Sequence, residues 1–337
     1  MNTFHSRGVV LTAARGPVEV QQVFVPDPGP GEVLLRMEAC GICHSDLFVQ
    51  SLEKLPLAPV TLGHEGIGRV EAVGAGVTSL APGDRAGMTF LATTCGACEF
   101  CTSGRERFCA KQSNFGYTLH GALTDYATAP AAALVRVPDD LPAHVAAPLC
   151  CAGWTAYGGL QQAGLDRGQT VGLFGLGGLG HLALQMARLR GLRIAAVDVS
   201  DEKLEMAREA GAEITAKGET AGRTLQKEIG GVDAAIVFTP STAAIQQAFK
   251  SLKRNGTLVM VGISVNTYEL PLVDTIVKGI QMRGSYLGTH QELAEVFELA
   301  RAGVLRPHVE THAIEEAPAL MEKLRRGEIA GRAVIAF

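Results

Sequence analysis

The chain has 337 residues, of which 47% are hydrophobic and 19% charged, and its formal net charge is −4. This length predicts two domains, and the acidic balance argues against a surface that binds nucleic acid or anionic lipid. The N-terminal residues lack the apolar core of a signal peptide, and no apolar run reaches the ~18–20 residues of a membrane span, so we expect a cytoplasmic protein that does not enter a membrane.

The first part of the chain has the pattern of a mainly antiparallel β domain. Residues 8–37 alternate β-like segments with loops, with a turn sequence at 26–31 and a strand from Glu32 to Met37. Glycine-punctuated β runs continue through residues 66–90. The pattern predicts a β domain with bulges at the start of the chain.

All eight cysteines lie in the first half of the chain. They form three groups: Cys40 and Cys43; Cys95, Cys98, Cys101 and Cys109; Cys150 and Cys151. In a reducing cytoplasm such grouping favours metal binding or catalysis over disulfides.

The second group has the spacing of a structural zinc site. Four thiolates within a short segment can close a tetrahedron around zinc, and Gly96 and Gly104 are compatible with the tight loop that this requires. A closed site of this kind would stiffen a lobe, placed at residues 92–112, that has little core of its own. Two disulfides, buried free thiols or an iron–sulfur cluster are the alternatives.

The remaining candidate ligands are dispersed along the chain. Cys43 opens the sequence Cys-His-Ser-Asp, His64 lies in Gly-His-Glu-Gly, and Cys151 precedes Ala-Gly-Trp-Thr. Two thiolates and one imidazole would leave a fourth zinc position open for an alcohol or water. The alternative is a structural histidine with two cysteines that serve as small buried hydrophobic residues.

A dinucleotide-binding pattern runs from Val171 to Asp198 as strand, loop, helix and strand. The loop is a Gly-x-Gly-x-x-Gly sequence made of Gly175, Leu176, Gly177, Gly178, Leu179 and Gly180. Such glycines permit a tight turn, close approach of a pyrophosphate and close packing of helix on strand. A glycine-rich turn without a ligand is the alternative.

Asp198 stands about 20 residues beyond the glycine loop, where a carboxylate can hold the adenosine ribose. A carboxylate would repel a 2′-phosphate, and no arginine follows it directly. The sequence therefore predicts NAD over NADP.

Beyond residue 153 strands and helices alternate, which predicts a doubly wound parallel sheet of about six strands. The expected helices are 180–190, 201–210, 242–252, 291–302 and one near 316–326; the expected strands are 170–174, 192–197, 234–238, 256–261 and 281–285, with a last β run at 332–337. The resulting domain prediction is 1–152, 153–286 and 287–337, with the third segment returning to the first domain.

These motifs, in this order, resemble the zinc-dependent medium-chain alcohol dehydrogenases, nearest their bacterial and yeast branch. The resemblance covers essentially the whole chain and implies a GroES-like catalytic domain, a Rossmann coenzyme domain and two zinc ions. It assigns the catalytic zinc to Cys43, His64 and Cys151, with Glu65 close to the metal. It assigns the structural zinc to Cys95, Cys98, Cys101 and Cys109.

The resemblance also implies roles for residues around these ligands. Ser45 would accept the substrate's hydroxyl proton, Asp46 would orient the ring of His64, and Cys40 and Cys150 would be packing residues. The residues that it assigns to the coenzyme, besides the glycine loop and Asp198, are Thr155, Val261, Ile263, Lys203 and Arg332. For Lys203 and Arg332 an ordinary solvated side chain is the alternative.

Two positions depart from the family. Phe48 occupies the position at which relatives often carry a histidine that passes the proton to solvent, so His44 or water would have to replace it, or the relay is truncated. Residues 51–55 lack the tryptophan that narrows the pocket in ethanol-preferring relatives, and Phe90 stands where a bulky aromatic often lies. We therefore expect substrates larger than ethanol.

The predicted function is reversible, NAD-dependent oxidation of primary or secondary alcohols through a zinc-bound alkoxide, by a homo-oligomer (a tetramer or dimer) paired through Rossmann edge strands. Three other interpretations remain at this point: a zinc relative acting on polyols or an aldehyde adduct, a metal-free quinone reductase of the same fold, and a zinc-ribbon binding protein.

Overall fold

The computed structural model describes residues 3–337 and contains two compact units. One unit comprises the residues up to Cys151 together with Thr289–Phe337, and the other is Ala152–Gly288. The sequence prediction had set the divisions after residues 152 and 286. Within the described range, every helix is too short or too polar to cross a bilayer.

The strands are, in chain order, β1 Thr3–Leu11, β2 Val18–Pro26, β3 Glu32–Gly41, β4 Val60–Thr61, β5 Glu65–Val73, β6 Arg85–Met88, β7 Leu91–Thr93, β8 Ser113–Asn114, β9 Tyr126–Pro130, β10 Val135–Arg136, β11 Thr170–Phe174, β12 Arg193–Asp198, β13 Ile214–Lys217, β14 Val232–Val237, β15 Leu252–Met260, β16 Gln281–Gly284, β17 Val309–His312 and β18 Arg332–Ala336.

The α-helices are α1 His44–Ser51, α2 Glu99–Thr102, α3 Ala143–Ala146, α4 Ala152–Ala163, α5 Gly180–Leu189, α6 Asp201–Glu209, α7 Ala221–Ile229, α8 Thr242–Ser251, α9 Leu272–Lys278, α10 His290–Arg301 and α11 Ala317–Arg325. Short 3₁₀ helices cover Glu106–Phe108, Ala131–Ala133, Ala147–Cys150, Gly218–Thr220 and Ile314–Glu316.

The first unit is built around strand β3. Its sheet runs in the order β10-β6-β5-β3-β18-β17, and β9 also pairs with β3. Val33, Leu34 and Leu35 of β3 are fully buried, and each such side chain contributes roughly 1.5–3 kcal/mol through its removal from water. Strand β18, the last β run of the chain, pairs antiparallel with β3.

The second unit contains one parallel sheet of six strands in the order β13-β12-β11-β14-β15-β16. Its central strands are buried on both faces, as β11 shows with all of Thr170–Phe174 buried. The GroES-like and Rossmann fold class predicted from the sequence is confirmed. The predicted helices and strands of this unit are present, with ends shifted by one or a few residues.

Some elements of the second unit were missed by the sequence prediction. Strand β13 has four residues and only Ala216 is buried, so it carries no continuous apolar run. Helix α4 contains glycines that suggest a turn, but Gly158 serves close packing. A Cβ at Gly158 would lie 2.3 Å from the carbonyl oxygen of Leu287, so the helix can pack there only without a side chain.

Candidate active site and coenzyme loop

Cys43, His64, Glu65 and Cys151 converge in the first unit. Each of them offers a ligand atom, and these four atoms lie within 4.8 Å of one another, all buried. Cys43 Sγ and Cys151 Sγ are 3.8 Å apart. The predicted ligands, separated by more than 100 residues in the chain, therefore form one cluster.

Local structure explains how each side chain reaches the cluster. Cys43 is the N-cap of α1, directly after β3. Glu65 is the first residue of β5 and His64 directly precedes it. Gly63, before His64, adopts φ +95°, which is open to glycine but rare for residues with a Cβ. Cys151 follows the 3₁₀ turn Ala147–Cys150.

Asp46 ties the helix start to the histidine. Its Oδ2 accepts a hydrogen bond from the amide of Cys43 at 2.9 Å, and its Oδ1 accepts one from the amide of Gly63 at 3.1 Å. Nδ1 of His64 lies 3.3 Å from Oδ1 of Asp46. This contact favours a proton on Nδ1 and leaves Nε2 to face the cluster.

The imidazole of His64 is almost fully buried, and among residues 3–337 its Nε2 has no hydrogen-bond partner. Burial alone would lower the pKa of His64, but the carboxylate of Asp46 and the sulfur of Cys43 raise it well above its usual value. An orphaned buried nitrogen beside two sulfurs has the chemistry of a metal ligand.

The two sulfurs of the cluster have opposite pKa shifts. Hydrogen bonding from Cys151 holds the pKa of Cys43 well below its usual value, although burial opposes it, and His64 adds to the lowering. The contact with Cys43 and burial both raise the pKa of Cys151. A metal ion bound here would take both sulfurs as thiolates.

Glu65 is fully buried and paired with Arg332. Nη2 of Arg332 donates to both carboxylate oxygens of Glu65 and, at 3.2 Å, to the carbonyl oxygen of Ile42. Burial raises the pKa of Glu65 to about 8, although Arg332 opposes the shift. A Cβ at Gly41 would lie 1.9 Å from this carboxylate, so glycine makes the room for it.

The pairing bears on the predicted coenzyme contact of Arg332. Its side chain is 3% exposed, and in the described chain its Nε has no hydrogen-bond partner. One edge of the guanidinium is committed to Glu65 and Ile42. The pyrophosphate contact of Arg332 stays a prediction.

The four-cysteine group forms a second cluster, in which the sulfurs also lie within 4.8 Å of one another. Cys95 and Cys101 are 3.9 Å apart, and Cys98 and Cys101 are 3.5 Å apart. The amides of Cys98 and Cys95 donate to the sulfurs of Cys95 and Cys109 respectively. Backbone donors from Ala97 and Cys98 lower the pKa of Cys95 to about 6.

Zinc fits both clusters by the spacing of their sulfurs. Sulfurs about 2.3 Å from a tetrahedral zinc are about 3.8 Å from each other, which agrees with the separations in both groups. Disulfide bonds, an alternative for the four cysteines, need sulfurs about 2.05 Å apart, and all four cysteines are free thiols.

The lobe around the four cysteines contacts the start of helix α10. Arg107, on the 3₁₀ turn between Cys101 and Cys109, lies 3.9 Å from a carboxylate oxygen of Glu292. Glu292 also accepts a hydrogen bond from the amide of Thr289, so it caps α10. The lobe is therefore connected by charge to the first turn of that helix.

Helix α1 carries Ser45 and His44 of the predicted proton relay, and also Phe48, which cannot carry a proton. The hydroxyl of Ser45 lies 3.8 Å from Cys43 Sγ, next to the cluster. His44 is exposed at the first position of the helix. Phe48, one turn beyond Ser45 on the same face, is 37% exposed.

In the second unit, the glycine loop connects β11 to α5. Gly175 has φ +92°, a Cβ at Gly180 would lie 1.9 Å from the carbonyl of Gly175, and a Cβ at Gly177 would meet no atom within 4 Å. The turn at Gly175 and the close helix packing at Gly180 thus require glycine. The open side of Gly177, with Gly178 and Leu179 beside it, leaves room for a phosphate.

Asp198 ends strand β12 and holds the glycine loop. Its Oδ2 accepts from the amide of Leu176 at 2.7 Å, and its Oδ1 accepts from the amides of Val199 and Ser200. A carboxylate has about four lone-pair sites, so one remains to accept a hydrogen bond from a ribose hydroxyl. Lys203, on the next helix, is half-buried.

The other predicted coenzyme residues of this unit follow the carboxyl ends of its strands or lie on α4. Val261 is buried and Ile263 is 59% exposed, directly after β15. Thr155, on α4, is buried, and in the described chain its Oγ1 has no hydrogen-bond partner. In open parallel sheets ligands bind at this carboxyl edge.

Comparison with known proteins supports these sites. Residues 29–139 match the family described as "Alcohol dehydrogenase GroES-like domain", and residues 178–302 match "Zinc-binding dehydrogenase". An alcohol dehydrogenase of Geobacillus stearothermophilus is 39% identical over 336 residues, which cover 98% of this chain and 99% of that protein. One of Moraxella sp. strain TAE123 is 39% identical over 335 residues, with coverage of 98% and 99%.

Solved structures agree. The alcohol dehydrogenase of the archaeon Aeropyrum pernix superposes with a TM-score of 0.91 at 30% identity, over 98% of this chain and 100% of that one. Acetophenone reductase from Geotrichum candidum, in complex with NAD, has a TM-score of 0.89 at 30% identity, with coverage of 100% and 98%. A zinc-binding dehydrogenase from Sinorhizobium meliloti 1021, bound to NADP, has a TM-score of 0.88 at 26% identity, with coverage of 99% and 100%.

A GroES-like unit joined to a Rossmann unit is the architecture of the medium-chain dehydrogenases. Within that class, this chain belongs to the zinc-dependent medium-chain alcohol dehydrogenase family. It is thus an oxidoreductase of small-molecule alcohols that uses zinc and a nicotinamide cofactor.

Three features of the site were not predicted from the sequence. Gly41, which makes room for Glu65, lies among other glycines of a β segment and carries no separate signal. The pairing of Glu65 with Arg332 depends on the position of β18 beside β3. The ring contact between Phe90 and Tyr117 joins residues on different segments.

Proposed function

We propose that this protein is an NAD-dependent zinc alcohol dehydrogenase that interconverts primary or secondary alcohols with aldehydes or ketones. The observation that carries the proposal is the convergence of Cys43, His64 and Cys151 around an orphaned imidazole nitrogen. The family requires zinc, and these three side chains supply the donor set of a catalytic zinc with an open position.

The proposed ligands are Cys43, His64 and Cys151, and zinc bound there would supply a Lewis acid that makes an alcohol hydroxyl more acidic. The two thiolates balance the charge of a divalent ion. Asp46 fixes the tautomer and orientation of His64. Glu65, held by Arg332, keeps a carboxylate at the rim of the cluster without an unpaired buried charge.

Ser45 is the proposed acceptor of the substrate's hydroxyl proton, since its hydroxyl lies beside the sulfur of Cys43. A nicotinamide bound at the coenzyme loop would supply the acceptor for the carbinol hydrogen as a hydride, and the reverse reduction would use the same protein groups. Replacement Ser45→Ala is expected to lower kcat about 100-fold, because general acid–base groups contribute at least that much. Ser51→Ala, on the exposed last turn of α1, is the matched control.

A second, structural zinc is proposed for Cys95, Cys98, Cys101 and Cys109. All four donors are sulfurs, so no position remains for a substrate. The expected metal content is two zinc ions per chain, measured by atomic emission on the purified protein. A content of one, retained by the four-cysteine lobe in an active enzyme, would contradict the catalytic cluster.

NAD is the proposed coenzyme. Structures similar to this chain include one bound to NAD and one bound to NADP, so the choice depends on this chain's own residues. Asp198 presents a carboxylate where a 2′-phosphate would be repelled. Asp198→Ala is expected to raise the ratio of kcat/KM for NADP to that for NAD at least tenfold, whereas Asp201→Asn, on the exposed start of α6, should leave it unchanged.

The proposed oligomer is built from copies of this chain that meet at the edge of the Rossmann sheet. Strand β16 is the sheet's last strand, and helix α9, which precedes it in the chain, leaves Leu272, Val273 and Ile276 64–77% exposed. Such an apolar face with an unpaired strand edge suits a second copy. Ile276→Glu should reduce the mass measured by light scattering, while Val304→Glu, exposed in the other unit, should not.

One assay tests the activity itself. NADH formation, followed by absorbance, is measured across primary, secondary and aromatic alcohols, with NAD and NADP, before and after treatment with a zinc chelator. We expect turnover with NAD that the chelator abolishes and added zinc restores. Chelator-resistant turnover of a quinone with no alcohol oxidised would instead favour the quinone reductase alternative.

A further inference from the structure

A second histidine contacts the segment that leads to the proposed metal ligand His64. The amide of Thr61, at the end of strand β4, donates a hydrogen bond at 3.2 Å to Nδ1 of His120. Thr61 is buried, so solvent does not readily replace this acceptor. A ring nitrogen accepts a hydrogen bond only while it carries no proton. The contact therefore requires a neutral His120 with its proton on Nε2.

Backbone hydrogen bonds around this contact fix the position of His64. Three amides of residues 121–123 donate to the carbonyl oxygens of residues 61–63 at 2.7–3.0 Å. A Cβ at Gly121 would lie 2.1 Å from the carbonyl oxygen of Gly63, so the two segments are in direct backbone contact. The ring of the second histidine thus holds one amide of a segment that continues directly into the metal ligand.

The surroundings of His120 favour the neutral ring. Burial of part of the side chain lowers the pKa of His120 below its usual value, and the hydrogen bond from the amide favours the same, unprotonated nitrogen. Residues 60–63 and 121–123 have uncharged side chains. Asp46 is the charged residue that contacts an amide of the first segment, and Tyr117 is the nearest ionisable residue along the loop. His120 is exposed, so protons from solvent can reach the ring.

Protonation of His120 removes the acceptor from this contact. An imidazolium has N–H groups at both nitrogens, so the ring would face the amide of Thr61 donor to donor, and a buried donor without a partner is costly. Because the folded chain holds this proton less tightly than an unfolded chain does, the contact stabilises the fold above the usual pKa of histidine, about 6.5. That stabilisation is lost as the pH falls through the lowered pKa of His120, and local opening of the segment becomes more frequent.

We propose that His120 is a positioning residue that links protonation at the surface to retention of the metal at the buried cluster. With His120 neutral, segment 60–64 is closed and His64 stays beside Cys43 and Cys151. With His120 protonated, the segment opens more often and a zinc ion is released faster, because a ligand must move away before a buried ion leaves. The inference rests on the proposed function for the identity of the ion, whereas opening of the segment is a property of the chain.

Hydrogen exchange on the metal-free protein tests the opening directly. The protection factor of the Thr61 amide, corrected for intrinsic exchange, is measured by NMR from about pH 8 to about pH 5. In the wild type it should fall about two- to tenfold, since a hydrogen bond contributes about that much, with a midpoint below the usual pKa of histidine. In His120→Asn the amide oxygen lies as many bonds from the backbone as Nδ1 does and accepts at every pH, so the step should be absent.

Two further variants provide the controls. His120→Leu keeps a branched side chain without an acceptor, so the protection factor of Thr61 should be low over the whole pH range. His5→Asn replaces an exposed histidine whose ring contacts Phe24, and it should keep the wild-type step. If His120→Leu does not fold, the comparison of His120→Asn with the wild type decides alone.

Metal release is measured on the zinc-loaded protein with a coloured chelator in excess. The kinetic phase that belongs to the buried cluster is the one absent from Cys151→Ser. Its rate in the wild type should equal that in His120→Asn at about pH 8 and exceed it about two- to tenfold at about pH 5, in proportion to the opening of the segment.

The outcomes separate the role of His120 from the proposed function. The same acid step in the wild type and in His120→Asn, or wild-type protection in His120→Leu at about pH 8, would overturn the positioning role and leave the dehydrogenase proposal intact. Equal zinc-release rates at about pH 5 would overturn the link to the metal. A chain that oxidises no alcohol, but whose acid step disappears in His120→Asn, would overturn the activity and support the positioning role.

Discussion

The two candidate metal clusters of this protein are built in opposite ways. The cluster of Cys43, His64, Glu65 and Cys151 is buried and drawn from distant segments, with mixed donors. The four-cysteine cluster comes from one short segment, is partly exposed and has only sulfur donors. Backbone amides support the sulfurs of the second cluster, whereas side chains such as Asp46 and Arg332 support the first.

This difference predicts which cluster keeps its geometry without a metal ion. The buried cluster is assembled by strands and helices whose packing does not depend on the metal, so its geometry should be kept without an ion. The lobe has no helix or strand with a buried core between Cys95 and Cys109, so its geometry depends on the ion. Loss of metal from the buried cluster should therefore abolish turnover, whereas loss of metal from the four-cysteine lobe should abolish its stability.

The largest effect is expected when one ligand of each cluster is replaced. Cys151→Ser should lower kcat/KM by at least about 1,000-fold with little change in melting temperature, because a Lewis acid supplies several kcal/mol. Cys98→Ser should lower the melting temperature and keep turnover below it. Metal content, kinetics and calorimetry measure both variants. Full turnover in Cys151→Ser, or none in a folded Cys98→Ser protein, would remove the distinction.

A smaller effect is expected from the group that supports the histidine. Asp46→Asn should weaken zinc binding at the buried cluster by about 10- to 100-fold, since outer-shell partners of ligating histidines contribute that much. Competition with a coloured chelator measures the affinity of each site. Asp139→Asn, whose side chain is 81% exposed, is the control. Equal affinities in wild type and Asp46→Asn would show that the imidazole needs no orienting partner.

The pH dependence tests how the buried cluster exchanges protons with solvent. Phe48 cannot carry a proton, so alcohol oxidation by the wild type should rise steeply with pH as hydroxide becomes available. Phe48→His places a group of pKa about 6.5 one turn from Ser45 and should raise the rate about tenfold near pH 6–7, flattening the profile. Phe48→Leu serves as the apolar control. An unchanged pH–rate profile in Phe48→His would contradict the hypothesis that Phe48 interrupts the proton relay.

The smallest effect concerns the contact between the lobe and helix α10. Arg107→Ala removes a half-buried charge that faces Glu292 and should lower the free energy of unfolding by roughly 0.5–1 kcal/mol. Denaturant titration of the zinc-loaded protein measures it. Arg105→Ala, on an exposed neighbour in the same lobe, should change it less. A larger loss in Arg105→Ala would mean that the lobe is stabilised by its own surface rather than by α10.

The fold was largely predictable because its signals are local. Alternating strands and helices with a glycine loop between β11 and α5 define a Rossmann unit, and these motifs lie within a few tens of residues. Elements without a continuous apolar pattern were missed: β13 is short and only partly buried, and α9 buries none of the side chains that the structure describes for it.

The candidate site also contains parts that have a local sequence signal and parts that do not. The four-cysteine spacing indicates its own cluster, whereas the convergence of Cys43, His64 and Cys151 came from family resemblance, because spacing cannot relate residues so far apart. The Glu65 contact of Arg332 was not predicted, since it depends on the pairing of two strands from opposite ends of the chain. The stacking of Tyr117 on Phe90 likewise requires the tertiary structure.

Strand β18 lies inside its sheet, between β3 and the edge strand β17, and it carries the arginine that neutralises Glu65. During synthesis on the ribosome, residues 152–288 can fold as a complete segment before β18 has emerged, because domains fold as units. The GroES-like unit, in contrast, has a gap in its central sheet and an unpaired acid until residues 332–336 are available. Nascent chains should therefore acquire a protease-resistant Rossmann unit first, and a competent metal cluster only afterwards.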